Sequence, residues 1–191
     1  MLGWFVPGGE VWDQDAAKTI KNVFNVLQKK DDIKIVFISI RGEYYISGIN
    51  NSGHKGEKNI GKIIDRDNFK NELQSAVDRL HAMGKQVYII GENPELPVDV
   101  RDYVNRWGSE KVSSFPVLKK EDVLVRQKRW LDLVAEIRGA QFIDVIDGFC
   151  PKGICMAFDG KNIPLYYDDD HLSYAGSEFQ AEHILKPWLM P

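Results

Sequence analysis

At 191 residues the chain is long enough to bury the core of one domain, and its 43% apolar and 28% charged residues exclude an extended disordered polymer. A net charge of -3 removes any electrostatic reason to expect nucleic acid or an anionic membrane as a partner. No apolar run is long enough to span a bilayer, and "MLGWFVPGGE" lacks the basic start and apolar stretch of a signal peptide, so the chain reads as soluble.

In "DQDAAKTIKNVFNVLQKK", Ile20, Val23, Phe24 and Leu27 fall on one helical face, and Asp13 or Asp15 can cap its start. "IKIVFISI", residues 33–40, is almost wholly apolar and rich in β-branched residues, the pattern of a strand buried on both faces of a parallel sheet. A polar, glycine-rich loop begins at Arg41. "DNFKNELQSAVDRLHAMG" predicts the clearest helix, with Phe69, Leu73, Ala76, Val77 and Leu80 on one stripe and Gly84 at the C-terminal cap. "KQVYIIG" predicts a second strand, and the proline-punctuated "ENPELPVD" leads into a short helix over residues 100–107. "KKEDVLVRQKRWLDLVAEIRG" predicts one long helix ending at Gly139, and "QFIDVID" a third strand. Asp159-Gly160 forms a hairpin-type turn, and a last helix starts near Ser173, whose hydroxyl can cap it, and runs to about Leu185, before Pro187.

No repeat, low-complexity tract or linker divides the chain, so residues 1–191 are expected to form a single domain. Strands alternating with helices of this length predict an α/β domain with a mainly parallel sheet and right-handed crossovers. Ligands bind such sheets at the carboxyl ends of the strands. The loops after Ile40, Gly91 and Asp147, and the segment holding Asp168 and His171, are expected at that edge.

The only cysteines are Cys150 and Cys155, with Pro151 and Gly153 between them. Their spacing suits a small disulfide-closed loop, which would belong to an oxidising compartment; two free thiols are the alternative. A zinc site would need further soft ligands nearby, and none follows.

"YYDDDHLSYAG" puts three aspartates directly before a histidine. A calcium loop of the EF-hand type starting at Asp168 would need glycine and glutamate where Ser173 and Phe179 stand. Zinc or iron would need partner histidines, whereas His54, His81 and His183 are scattered, so no metal is expected. Two readings remain. One is a solvated acidic turn before a helix, favoured by the helix macrodipole. The other is a catalytic pair, in which Asp168 orients the His171 imidazole from the same loop and the second ring nitrogen takes a proton from a serine hydroxyl. An ordinary imidazole, titrating near ~6.5, suits that role at neutral pH. Asp169 and Asp170 are expected to be solvated or capping.

The block Asp168-x-x-His171-Leu172-Ser173-x-x-Gly176 resembles the last block of SGNH/GDSL-type esterases. More narrowly, "CPKGICMAFDGKNIPLYYDDDHLSYAG", "IVFISIRGEYY" and "IIGENPELPVDVR" are together similar to the SGNH domain at the C-terminus of acyltransferase-3 membrane proteins, which O-acetylate bacterial surface polysaccharides. The resemblance implies a three-layer α/β/α fold, His171 as general base and Asp168 as its orienting acid. It places Arg41 near the oxyanion site, with an ion pair at a strand end as the alternative role. It also implies an acyl donor and a carbohydrate acceptor, no cofactor, a membrane acyltransferase domain in a parent protein, and a periplasmic or extracytoplasmic location. Asn50 and Asn51 sit too far into the polar loop to serve as the family's asparagine block.

That family takes its nucleophile from a Gly-Asp-Ser directly after the first strand, and this sequence contains none. Ser39 lies within a predicted strand, Ser47 and Ser52 in a loop with no helix behind them, and Ser113-Ser114 precede a proline. The expectation is an N-terminally incomplete domain lacking the first strand or strands, which leaves an open edge on the strand at residues 33–40. The alternative is a catalytically inactive carbohydrate- or partner-binding module of the same fold.

Overall fold

The computed structural model describes residues 11–47 and 65–189. Asn50, Asn51, Ser52 and His54 lie outside the described residues. Along the chain run α1 (Val11–Lys29), β1 (Ile35–Ser39), α2 (Gly42–Ser47), α3 (Arg66–Ala82) and β2 (Gln86–Ile90). There follow α4 (Val100–Trp107), a 3-10 turn (Ser109–Ser114), α5 (Lys120–Arg126), α6 (Lys128–Val134) and β3 (Ala140–Ile143). The last elements are α7 (Ile146–Phe149), α8 (Tyr174–Phe179), a wide turn (Gln180–Leu185) and α9 (Lys186–Leu189). The chain divides into two compact units, residues 11–47, 65–90 and 129–142 in one and residues 91–128 and 143–189 in the other.

The first unit is built on the sheet, in the order β1-β2-β3. β1 and β2 run parallel, with Val36 opposite Val87, Phe37 opposite Tyr88 and Ile38 opposite Ile89. Successive strand residues point to opposite faces. Val36, Ile38, Val87 and Ile89 therefore join one core with Phe24 and Leu27 of α1 and the stripe of α3, while Phe37 and Tyr88 stack at 5.3 Å on the other face. The α3 stripe is the one its spacing predicts: Phe69, Leu73, Ala76, Val77 and Leu80 are all buried. Its start is capped by Asp65, which accepts from the Asn68 N–H at 2.9 Å. At its end Gly84 takes φ 71, and the Gly84 and Lys85 N–H groups return to the His81 and Leu80 carbonyls at 2.8 and 3.1 Å, as a left-handed glycine cap allows. The Lys85 ammonium, on a largely buried residue, donates to the Lys30 and Ile33 carbonyls at 2.7 and 2.8 Å, just past the end of α1.

α1 begins at Val11, upstream of both Asp13 and Asp15, so neither stands at the cap position. Val23 is 49% exposed rather than part of the buried stripe, because the 100° step between neighbours carries it to the rim when Phe24 faces the core. β1 is only half-buried although apolar, in contrast to β2, whose Val87–Ile90 are buried. An apolar groove of about 540 Å³ runs along it, lined by Ile20, Val23, Val36, Ile38 and Leu73 among others.

The second unit gathers Leu96, Val100, Val123, Ile143, Phe149 and Leu165 into its buried interior. The single helix expected up to Gly139 is two helices, with a joint at Gln127 (φ -87, ψ 8). The buried Gln127 amide donates to the Asn93 and Glu92 carbonyls at 3.2 and 3.4 Å, and the second helix ends already at Val134. β3 is likewise shorter than the expected strand. Asp144 accepts from the Ile146 N–H at 2.8 Å, an Asx turn that bends the chain into α7. Cys150 and Cys155 are joined, with Sγ–Sγ 2.06 Å. The Asp159 turn closes as a loop in which the carboxylate accepts from both Lys161 and Ile163 N–H at 2.8 Å, and Asn162, not Gly160, takes positive φ. After α8 the backbone widens, the Lys186 N–H reaching Ala181. Pro187, having no N–H to give, is taken into the final turn. Among the described residues no helix is long and apolar enough to cross a membrane.

Candidate functional site

Residues 167–171 form a tight turn in the second unit. It is closed by the Tyr167 N–H on the His171 carbonyl at 2.7 Å and by an antiparallel bridge between Tyr166 and Leu172. Tyr166 fixes one flank in the interior, with its ring 6.0 Å from Phe149, and burial pushes its phenol above the usual range. Ser173 fixes the other flank. Its N–H donates to Leu165 O at 3.0 Å, its hydroxyl donates to Pro164 O at 2.6 Å, and the same oxygen caps α8 by accepting from the Gly176 N–H at 3.1 Å. A Cβ at Gly176 would lie 1.8 Å from the Leu165 carbonyl oxygen, so the helix start can approach this closely only as glycine.

A second layer holds the turn from outside. The Leu96 N–H donates to Asp169 O at 2.7 Å and the Val100 N–H to Asp168 O at 3.3 Å. The loop that carries Leu96 is itself held by an ion pair between Arg126 and Glu95 at 2.5 Å and by Gln127 on its carbonyls. At the start of α4, Asp99 accepts from the Asp102 N–H at 2.9 Å and pairs with Arg101 at 3.3 Å. Arg101 in turn donates to the Tyr167 hydroxyl at 3.0 Å and lies over that ring.

Within this frame Asp168 uses its two oxygens differently. Oδ1 accepts from the Asp170 and His171 N–H groups at 3.0 and 2.7 Å, and Oδ2 lies 2.9 Å from His171 Nδ1. Partial burial pushes the carboxyl up, but the two backbone donors and the imidazole outweigh it and hold the group below the usual carboxylate range. An ionised carboxylate only accepts, so Nδ1 carries the proton and Nε2 is the basic nitrogen. The imidazole is 74% exposed and can meet a large substrate, whereas Asp168 is 20% exposed. Asp170, expected to be solvated or capping, instead places Oδ1 2.7 Å from the same Nδ1 and is 12% exposed. Asp169 is buried rather than solvated. The sequence pattern holds one signal for Asp170: it directly precedes the histidine.

The ligand atoms of Asp168, Asp170 and His171 lie within 4.8 Å of one another, a donor set that could hold a metal ion. Nδ1 is already hydrogen-bonded to Asp168 at 2.9 Å, however, and a metal there would have to displace the Nδ1 proton.

Arg41 belongs to the first unit. It follows β1 and opens α2, with its carbonyl accepting from the Tyr45 N–H at 3.4 Å and its guanidinium 5.2 Å from the Tyr44 ring centre. The Ser47 hydroxyl is committed to Glu43 O at 2.8 Å, and Ser39 ends β1.

An α/β fold bearing a carboxylate–histidine pair with an exposed imidazole fits the class of hydrolases and acyl transferases that work through an activated hydroxyl. A family model described as the SGNH domain (fused to AT3 domains) matches residues 4–186, and the chain belongs to that family. No curated protein matches its sequence. Among solved structures it is similar to a chain from Streptococcus pneumonia described provisionally as a platelet activating factor. That match has 15% identity and a TM-score of 0.40, covering 92% of this chain and 99% of the other.

Proposed function

We propose that the chain supplies the acid–base half of an SGNH-type esterase or O-acyltransferase acting on acyl esters, acetyl in the first instance, of bacterial surface carbohydrate. The observation that carries the reading is the Asp168–His171 pair, held at 2.9 Å on a turn fixed from both flanks. In the reaction a serine oxygen attacks the acyl carbonyl carbon while Nε2 takes the hydroxyl proton. The tetrahedral intermediate collapses, the alcohol leaves with that proton, and an acyl-enzyme remains. Water or a sugar hydroxyl then attacks, again deprotonated by Nε2, and the serine recovers its proton. Asp168 keeps the ring in the reactive tautomer and stabilises the imidazolium formed in each attack. Arg41, at the carboxyl end of β1, is the candidate donor to the oxyanion. The 191 residues contain no Gly-Asp-Ser, so the attacking hydroxyl is assigned to no residue of this chain. The family's description supports a membrane acyltransferase domain as partner, and with it an extracytoplasmic site of action.

The missing motif favours a second reading, a binding module that keeps the fold without turnover. Hydrolysis of an aryl acetate by the purified chain separates the two. Turnover, where the chain shows it, is expected to fall about 10²-fold or more in His171→Ala with unchanged melting. Turnover equal in the variant contradicts His171 as the base, absent turnover together with absent fluorophosphonate labelling contradicts an attacking hydroxyl within these residues, and binding of surface glycan without turnover supports the module.

A further inference from the structure

We propose that Asp170 is a second positioning carboxylate of His171, sharing the Nδ1 proton with Asp168; the catalytic meaning of this rests on the function proposed above. Three observations carry it. Asp170 Oδ1 stands 2.7 Å from Nδ1, no farther than Asp168 Oδ2 at 2.9 Å. The Asp170 side chain is 12% exposed against 20% for Asp168, so it is no solvated bystander. And its own N–H is bound at 3.0 Å to Asp168 Oδ1, which fixes the spacing of the two acids through the backbone.

Two carboxylates on one N–H would repel if nothing lay between them. Here the backbone donors hold Asp168 ionised, and the imidazole separates the pair. With a neutral ring, one proton serves two acceptors. Once Nε2 has taken the hydroxyl proton, both acids face an imidazolium and both attractions strengthen. The arrangement thus favours the charged state formed during attack over the resting state, the condition for raising a rate rather than only tightening a structure. Among the described residues, further charges on the elements packed against this turn are Asp169, in the same turn, and the Asp99–Arg101 pair at the start of α4, which is bound up with itself and Tyr167.

The test is the titration of the His171 ring followed by NMR, in the native chain, Asp168→Asn, Asp170→Asn and the double variant, with aryl acetate turnover measured alongside. Loss of either charge is expected to lower the imidazole midpoint by about half a unit to one unit, and loss of both by more. The Asp170→Glu variant, which keeps the charge, is expected to hold the midpoint near the native value. A midpoint unmoved by Asp170→Asn but lowered by Asp168→Asn overturns the proposal. So does an Asp170→Asn shift that vanishes when a chelator is added to the native chain, because the acids would then be serving a metal. Midpoints that move as expected while turnover is absent would leave the shared proton standing and remove the function proposed for it.

Discussion

In the Asp168–His171 turn the bonds that set the Asp168 carboxylate and close the turn reach only two to four residues along the chain, Asp168 to the Asp170 and His171 N–H groups and Tyr167 to His171 O, while Leu96 and Val100 hold its carbonyls from outside. The chemistry sits in a structure that local sequence dictates. β1 stands at the other extreme. Its order depends on partners far away in sequence, Val87 to Ile89 across the sheet and Leu73 and Leu80 on α3. Even so, Ile35–Ile38 stay half-buried while Val87 and Ile89 are almost wholly enclosed. Arg41, the other candidate in the chain, hangs from that half-buried strand. The contrast teaches that the acid–base pair takes its side-chain geometry from neighbours in sequence, whereas whatever Arg41 does depends on how well β1 is held.

Core substitutions break the contrast most strongly. Ile89→Ala, at a 1% exposed position, is expected to cost about 3–4 kcal/mol of stability by chemical denaturation, and Ile38→Ala on half-buried β1 about half of that. Equal losses would show that β1 is covered in solution. Gly176→Ala strikes the turn's own scaffold. Its Cβ meets the Leu165 carbonyl, so a loss of about 1–3 kcal/mol is expected, with His171-dependent turnover falling alongside. Stability retained in that variant would mean that α8 does not start as closely as described. The smallest effect concerns acid. Because the Asp168 carboxyl is held below its ordinary range, its contribution is fully present above the unfolded value of about 3.9 and is lost as pH falls through the folded value. Asp168→Asn should therefore flatten the acid limb of the stability curve below pH ~4 and leave the neutral plateau's shape unchanged.

Much of this architecture is legible in the residues themselves. The stripe from Phe69 to Leu80 and the cap at Gly84 follow from helical spacing, and Ser173 and Asp168 follow from short-range hydrogen bonding. The features that escape depend on where a side chain finds a distant partner. Val123, Gln127, Trp130 and Val134 recur at helical spacing, so nothing in the pattern breaks the helix at Gln127. The break coincides with carbonyls at Glu92 and Asn93 that sequence does not bring near. Asp144 ends β3 early by an Asx turn that an alternating apolar run conceals. Asp168 and Asp170 are the same residue type in one run. Only the folded turn shows that both reach Nδ1 while Asp169 is buried.

The acids of this turn hold His171 with its proton on Nδ1, which leaves Nε2 as the basic nitrogen. A long-range 1H–15N spectrum of the imidazole, recorded above its titration, reads the tautomer directly. A protonated Nδ1 and an unprotonated Nε2 are expected in the native chain, giving way to a mixture of tautomers when Asp168 and Asp170 are both replaced by Asn. A native ring that is protonated at Nε2 would contradict this assignment.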